Sequence, residues 1–263
     1  MTAFTDAGLI WLVQFLLILT RMTAMFVLSP ILGRNNIPSL AKIGLSLLVT
    51  FMLINFYPPA APDYPFDTPL AVAGAVLLEL IVGFVLGFGT ILFFNVVHMA
   101  GHIIDVQIGF AMSQQFDPGT GMQVPIVGSL LNLMFVQCFL IADGIPTLVG
   151  ITGRTFQVIP VGGAVVSPAL AMAVVDAFLR CFVLALNIAM PVLASAMLLE
   201  IGLGIVVRTA PQMNIFVIGI PLKVVVGLIS LFLCIPVFVA LTGGVFDRMY
   251  ETIDMLFMHL VPE

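Results

Sequence analysis

Hydrophobic residues along the chain fall into long runs, which are separated by short stretches rich in proline, glycine and asparagine. A helix needs about 20 apolar residues to cross the hydrocarbon core of a bilayer, and most of the runs reach that length. The pattern therefore predicts an all-α protein of long hydrophobic helices and helical hairpins. The six runs are Ala7–Leu32, Ile43–Tyr57, Leu70–Val97, Ile126–Ala142, Ala169–Leu199 and Met213–Leu241.

Prolines inside the later runs modify this picture. Pro191, Pro221 and Pro236 lack the N–H that an interior helical residue donates, and their rings clash with the preceding turn. We expect kinked or broken helices there, which is tolerable only where neighbouring groups satisfy the freed carbonyls.

The composition limits where the protein can reside. Of its 263 residues, 62% are hydrophobic and 8% are charged, against roughly 25% charged in ordinary soluble domains. A soluble fold of this size cannot hide so much apolar surface, so lipid or partner subunits must cover it. The net charge of −5, with eight scattered basic residues, excludes a nucleic-acid-binding surface.

Basic residues do not assign a clear orientation. With the N-terminus outside and six crossings, inner loops hold Arg34, Lys42 and Arg208, whereas outer segments hold Arg154 and Arg248. This near balance is unusual for a protein that crosses the bilayer in the ordinary way.

Several ionisable residues interrupt the hydrophobic runs. An ionised side chain at the bilayer centre costs at least about 2.5 kcal/mol and usually faces protein or water. Two interpretations remain open for these residues: a proton or ion relay, or structural pairing between packed helices. Asp176 and Arg180, four residues apart, share one helix face and can neutralise each other. The set is Arg21, Glu79, Asp176, Arg180, Glu200 and Lys223.

The third run carries small residues at helical spacing. Gly83 and Gly87 lie four residues apart and Gly89 follows, so they offer a flat face on which another helix can approach closely. The pattern predicts tight helix packing at this place.

Familiar catalytic signatures do not occur, and we expect a protein that is not an enzyme and needs no cofactor. The nearest approach to a metal site is His98, His102 and Asp105, whose spacing places them on one helix face. A mildly polar end of the third run explains them without a metal. The three cysteines, which lie in apolar runs, are expected to be small core residues. A stand-alone transporter or ion channel that uses the buried carboxylates remains an alternative, although no symmetric halves are visible.

One unusual stretch separates the third and fourth runs. We call residues 106–125 the plug segment. It contains no lysine or arginine. Its aromatic and methionine side chains can fill a narrow space without binding cargo firmly, its glycines permit a moving loop, and Asp117 begins a turn. A plain surface connection would have a similar composition. The residues concerned are Ile108, Gly109, Phe110, Met112, Phe116, Asp117, Pro118, Gly119 and Met122.

Four parts of the chain resemble one family, in order and at fitting distances. They are LTRMTAMFVLSPILGRNNIPSLAKIGLSLLVTFML, then Glu79 with Gly83 and Gly87, then GFAMSQQFDPGTG, and finally RTAPQMNIFVIGIPLK, from Arg208 to Lys223 with Gln212 and Asn214. Together they are similar to the flagellar biosynthetic protein FliR family, whose members also serve type III secretion injectisomes. The resemblance spans essentially the whole chain.

The resemblance implies a subunit of the bacterial type III export gate, through which unfolded flagellar proteins leave the cytoplasm. It implies FliP-type and FliQ-type sibling subunits in a helical assembly, together with FlhB-type and FlhA-type export proteins. It places the chain in the inner membrane, within the flagellar basal body, with much of the assembly raised to the periplasmic side. Helices covered by siblings need not follow lipid topology rules.

The resemblance also implies two parts and a working loop. Residues 1–167 correspond to a FliP-like part, and residues 168–263 to a FliQ-like helical hairpin with a C-terminal tail. The plug segment corresponds to a loop that closes the pore. The charged and small residues inside the runs, together with Arg208, Gln212 and Asn214, become candidates for packing and pairing between helices or subunits.

Overall fold

The structure, a computed structural model, describes residues 2–33, 37–56, 68–110, 125–209 and 215–262. Within these ranges the chain forms seven helices and no strand, so the predicted all-α class is confirmed. The helices are α1 (Thr2–Leu28), α2 (Ser39–Phe56), α3 (Pro69–Ile108), α4 (Ile126–Ile141), α5 (Gly144–Val158), α6 (Ala169–Thr209) and α7 (Ile215–Met258).

Three helices are much longer than the hydrophobic runs that predicted them. The lengths are 40 residues for α3, 41 for α6 and 44 for α7. At about 1.5 Å per residue, each is about 60 Å long, which is twice the hydrocarbon thickness of about 30 Å. Hydropathy located the apolar part of each helix but not its end, because polar residues continue the same helix.

Helices α6 and α7 are continuous through their prolines. Pro191 lies inside α6, and Pro221 and Pro236 lie inside α7. We expected a kinked or a broken helix at these prolines, and the helix is not broken at any of the three positions.

The described residues contain fewer membrane-spanning helices than the six hydrophobic runs predict. By length and composition, four described helices qualify: α1, α3, α6 and α7. A fifth span exists among the described residues if the bent pair α4 and α5 counts as one. Asp143 makes this bend with a left-handed backbone, at φ 52°. Helix α2, which corresponds to the second run, is apolar but shorter than the four helices that qualify.

Helix α5 was not predicted from the hydrophobic runs. Its sequence, GIPTLVGITGRTFQV, mixes apolar and polar residues with a helical period, so no continuous apolar run marks it. Pro146 lies in its first turn, where proline is tolerated because its missing N–H would have no partner within the helix. Leu148, Thr152 and Phe156 lie on its buried face.

The chain forms two compact units. The first comprises Met1–Leu92, Asp143–Phe178 and Asp247–Glu263. Main-chain hydrogen bonds join its middle and C-terminal parts: the N–H of Val165 donates to the carbonyl of Leu260 at 3.1 Å, and that of Ser167 to the carbonyl of His259 at 3.2 Å. Leu256 and Leu260, which are fully buried, therefore belong to the core of this unit.

The second unit comprises Phe93–Ala142 and Leu179–Phe246. Four phenylalanines form its aromatic core, with neighbouring ring centroids 4.9–5.4 Å apart in mostly edge-to-face arrangements. Edge-to-face contact is the geometry that aromatic rings prefer. The four are Phe94, Phe135, Phe139 and Phe246.

Candidate functional site

The first unit contains a fully buried ion pair. Arg21 of α1 donates from Nε to Glu79 Oε2 at 2.5 Å and from Nη2 to Oε1 at 2.9 Å. Neither side chain has any exposed surface. This two-point geometry is the strong form of an arginine–carboxylate contact.

Further contacts complete the network around this pair. Arg21 Nη1 donates to Thr155 Oγ1 at 3.0 Å, and its guanidinium lies 4.1 Å from the ring centroid of Phe156. The N–H of Gly162 donates to Glu79 Oε1 at 2.8 Å. The pair thus connects α1, α3, α5 and the turn that follows α5.

The chemistry of this network favours a structural role over proton transfer. A guanidinium does not lose its proton in proteins, so it cannot pass one to the carboxylate. A buried pair needs such additional hydrogen bonds to offset its desolvation cost. Thr155, Phe156 and Gly162 were not predicted as site residues, because they lie on or after the helix that the hydrophobic pattern did not reveal.

The glycines of α3 pack against neighbouring helices within the same unit. A Cβ atom at Gly83 would lie 2.6 Å from the Cβ of Ala24 and still closer to the carbonyl oxygen of Arg21. A Cβ at Gly87 would lie 2.7 Å from the Cβ of Leu28. A Cβ at Gly89 would likewise overlap the side chain of Ile253. Only hydrogen atoms fit in these gaps, and α3 approaches α1 beside the ion pair for that reason.

The three candidate metal ligands of α3 point to different surroundings. Asp105 is 3% exposed and accepts hydrogen bonds from the main-chain N–H groups of Val127 and Gly128. His98 and His102 are exposed. In the part of the chain that the structure describes, no three His, Cys, Asp or Glu side chains are grouped so that they could hold a metal ion.

The second unit contains another ion pair, which is partly exposed. Lys223 Nζ of α7 donates to Glu200 Oε1 of α6, and Gln107 Nε2 of α3 lies 3.5 Å from the same oxygen. The side chains of Lys223 and Glu200 are 22% and 47% exposed. Within this unit, the pair and Gln107 join three helices.

Other predicted pairing residues lie on or near α6. Asp176 is half-buried and Arg180 is exposed, one turn apart. Arg208 is exposed in the last turn of α6, where a cation interacts favourably with the helix dipole. Gln212 and Asn214 lie outside the described residues.

The structure describes the two ends of the plug segment. Helix α3 continues to Ile108, which is fully buried. The side chain of Ile108 packs against Gly227 so closely that a Cβ atom at Gly227 would overlap it. Gly109 ends the helix with φ 99°, and Phe110 is half-buried. The connection therefore begins at Gly109 rather than at residue 106. The remaining predicted plug residues, Met112, Phe116, Asp117, Pro118, Gly119 and Met122, lie outside the described residues.

Together, these features define an α-helical membrane protein in which the buried charges Arg21, Glu79 and Asp105 join helices to one another. Its sequence matches the profile of Bacterial export proteins, family 1, over residues 12–249. The chain therefore belongs to that family of bacterial export proteins, and the resemblance to FliR proteins is confirmed.

Individual relatives agree with this assignment. The chain is 31% identical over 245 residues to the flagellar biosynthetic protein FliR of Bacillus subtilis (strain 168), covering 92% of this chain and 93% of that protein. It is 29% identical over 247 residues to FliR of Escherichia coli (strain K12), covering 94% of each. It is also 29% identical over 218 residues to the Yop proteins translocation protein T of Yersinia pestis, covering 81% of this chain and 82% of that protein.

Proposed function

We propose that the chain is a non-enzymatic subunit of the flagellar type III protein export gate, where it helps to form and plug the pore for unfolded flagellar proteins. The observation that carries the proposal is the match over residues 12–249 to a family of bacterial export proteins. FliR relatives are similar over nine-tenths of the chain, more than the Yop translocation protein covers, which favours the flagellar system.

The exposed apolar surface supports a place inside a larger membrane assembly. Within the chain, 22% of α6 and 17% of the α7 span are buried. Large apolar side chains such as Leu198 of α6 and Phe232 of α7 are 71% and 74% exposed. Lipid or sibling subunits must cover such a surface. We assign the siblings as FliP-type and FliQ-type subunits, with FlhB-type and FlhA-type proteins associated.

Helix length supports an assembly that extends beyond the bilayer. Helices of about 60 Å exceed a hydrocarbon core of about 30 Å. Near its end, α7 also exposes Asp247, Arg248, Glu251 and Asp254, which are costly in hydrocarbon. We propose that the chain resides in the bacterial inner membrane and that the assembly projects to the periplasmic side.

The helix pattern also supports the proposed two-part organisation. Helices α6 and α7 are long, and residues 210–214 alone separate them. This arrangement suits the FliQ-like hairpin proposed for residues 168–263, with the FliP-like part in residues 1–167.

The buried carboxylates give little support to a stand-alone transporter. Glu79 is engaged by Arg21 and Gly162, and Asp105 by two main-chain N–H groups. Neither has the free coordination expected of an ion-binding or proton-carrying group.

Co-purification tests the assignment as a gate subunit. We expect the chain to form a defined complex with co-expressed FliP-type and FliQ-type subunits, and a strain lacking it to lose motility and the export of flagellar proteins. Complementation by the intact gene should restore both. A chain that reconstitutes alone and moves a small solute would contradict the proposal.

A conductance measurement tests the plug. We expect a gate lacking residues 110–122 to assemble fully and to leak ions or small molecules, and Phe110→Ala with Phe116→Ala to leak less strongly. Ile141→Ala, at a position 82% exposed at the end of α4, is a control that should not leak. A fully assembled deletion variant with unchanged conductance would count decisively against the plug.

A further inference from the structure

The second unit exposes one polar face, on helix α3. Asn95, His98 and His102 are all exposed, and their spacing of three and four residues places them on one side of the helix. Within the described part of the chain, none of these three side chains has a hydrogen-bond or ion-pair partner. Whatever covers this face in a membrane assembly must supply hydrogen bonds, because a polar group buried without them is costly. We call these three residues the polar face of α3.

The opposite side of the same stretch of α3 is apolar. Val97, Ala100 and Ile104 are fully or almost fully buried there. A helix with apolar residues on its inner side and polar residues on its outer side is typical of contact with water rather than with lipid. This part of α3 therefore has the pattern of a soluble helix, although the helix as a whole is long and apolar enough to span a membrane.

A small cavity shows which parts of the other helices lie at the same level. Ile104 lines a cavity of about 20 Å³ together with Leu131 of α4, Val192 of α6 and Leu231 of α7. These four residues meet at one place within the second unit. They define a cross-section that passes close to His102 in α3, two residues before Ile104.

The other three helices expose apolar side chains in this cross-section. Leu133 of α4, Met190 of α6 and Phe232 of α7 are each more than half exposed, and each lies within two residues of a residue that lines the cavity. Such side chains require lipid or an apolar sibling surface to cover them. If this level simply projected into water, all four helices would expose polar residues. The unit instead has an apolar side and a polar side at the same level.

We propose that the polar face of α3 lines the water-filled conduit of the export gate, while the exposed apolar sides of α4, α6 and α7 contact lipid or sibling subunits. The inference rests on the proposed function, because the conduit exists only in the assembled gate. Water satisfies the amide of Asn95 and the imidazoles of His98 and His102. Ionisable residues within membrane proteins likewise face protein or a water-filled space rather than lipid. A polar surface of a sibling subunit is the alternative occupant, and the experiment separates the two.

The reaction of introduced cysteines with a small charged thiol reagent tests the proposal. The protein is the complex purified with its FliP-type and FliQ-type siblings, after the three native cysteines have been replaced by alanine. The probe is a charged methanethiosulfonate, which stays in water and reacts with the thiolate. Phe232→Cys is the matched control, since Phe232 is exposed in the same cross-section. The test variants are Asn95→Cys, His98→Cys and His102→Cys.

We expect the three cysteines on the polar face to react at least about tenfold faster than Phe232→Cys in the assembled complex, because the thiolate forms in water and is disfavoured in apolar surroundings. Rates as slow as that of the control would overturn the inference and leave the assignment as a gate subunit intact. Fast reaction in the chain purified alone, with slow reaction in the complex, would identify a sibling contact and would also overturn it.

Lysine substitution measures the same property without introduced cysteines. We expect His102→Lys to assemble with the siblings to within about twofold of the parent, because a charge is tolerated in water but is costly in lipid. Phe232→Lys is the control that should fail to assemble. Loss of the His102→Lys complex would overturn the polar face as a wall of the conduit. If even the parent forms no complex with the siblings, the proposed function fails, and this inference fails with it.

Discussion

The Arg21 guanidinium and the Glu79 carboxylate meet at two points, and neither side chain has exposed surface. They lie 58 residues apart in sequence, on α1 and α3. Because the pair also engages α5 and the turn after it, it fixes how these elements of the first unit pack. A buried ion pair is a costly way to gain stability, so its main effect is to select one arrangement of the helices.

Removing one partner of the Arg21–Glu79 ion pair should destabilise the protein more than removing both partners. We expect Arg21→Met to lower the free energy of unfolding by about 3–5 kcal/mol, because it leaves the Glu79 carboxylate buried and unpaired. Arg21→Met with Glu79→Met should recover most of that loss. Thermal unfolding of the purified gate complex measures the difference.

Lys223→Met is the control for this comparison. Its ion pair with Glu200 is partly exposed, and we expect a loss of at most about 1 kcal/mol. If the double variant is no more stable than Arg21→Met, the stability lost in the single variant does not come from leaving the Glu79 carboxylate unpaired.

Small residues on α3 should be needed only where α3 meets a neighbour. We expect Gly83→Ala to destabilise the protein by about 1–3 kcal/mol, because the added Cβ overlaps α1 and forces the helices apart. Gly74→Ala is a control on the same helix, since a Cβ there meets nothing within 4 Å. It should be neutral or stabilising by up to about 1 kcal/mol. Equal melting temperatures for the two variants would refute the close approach of α1 and α3.

The end of α3 should require glycine. Gly109 has φ 99°, and a side chain in that region costs roughly 1–2 kcal/mol. We therefore expect Gly109→Ala to be less stable than Gly109→Asn, because asparagine tolerates this region better. Gly202→Ala in α6, where a Cβ is unobstructed, should not be destabilising. Denaturant unfolding of the three variants provides the comparison, and a neutral Gly109→Ala would contradict it.

Substitution of two phenylalanines should distinguish an effect on folding from an effect on assembly with sibling subunits. Phe135 is fully buried among aromatic rings, and we expect Phe135→Ala to cost about 3–5 kcal/mol. Phe232 is 74% exposed on α7. Phe232→Ala should leave the melting temperature of the detergent-solubilised chain unchanged and reduce the yield of the complex with sibling subunits. An unchanged yield would place Phe232 outside the subunit interfaces.

Much of this protein could be predicted from local sequence. The hydrophobic runs identified the all-α class and most of the helices, and four sequence segments identified the export family. Both kinds of information lie in contiguous residues. The spacing of Gly83 and Gly87 likewise indicated a close helix contact, because a face of small residues is visible within one helix.

The tertiary structure decided which residues meet. The sequence showed six charged residues inside the hydrophobic runs but did not identify the partners of most of them. It also suggested Asp105 as a possible metal ligand. Folding brings Arg21 to Glu79 and Asp105 to the start of α4, while the amphipathic α5 supplies Thr155 to the ion pair. Such contacts depend on where distant segments return in space. Periodicity describes one element at a time, so it carries no information about which of several similar partners a buried charge will find.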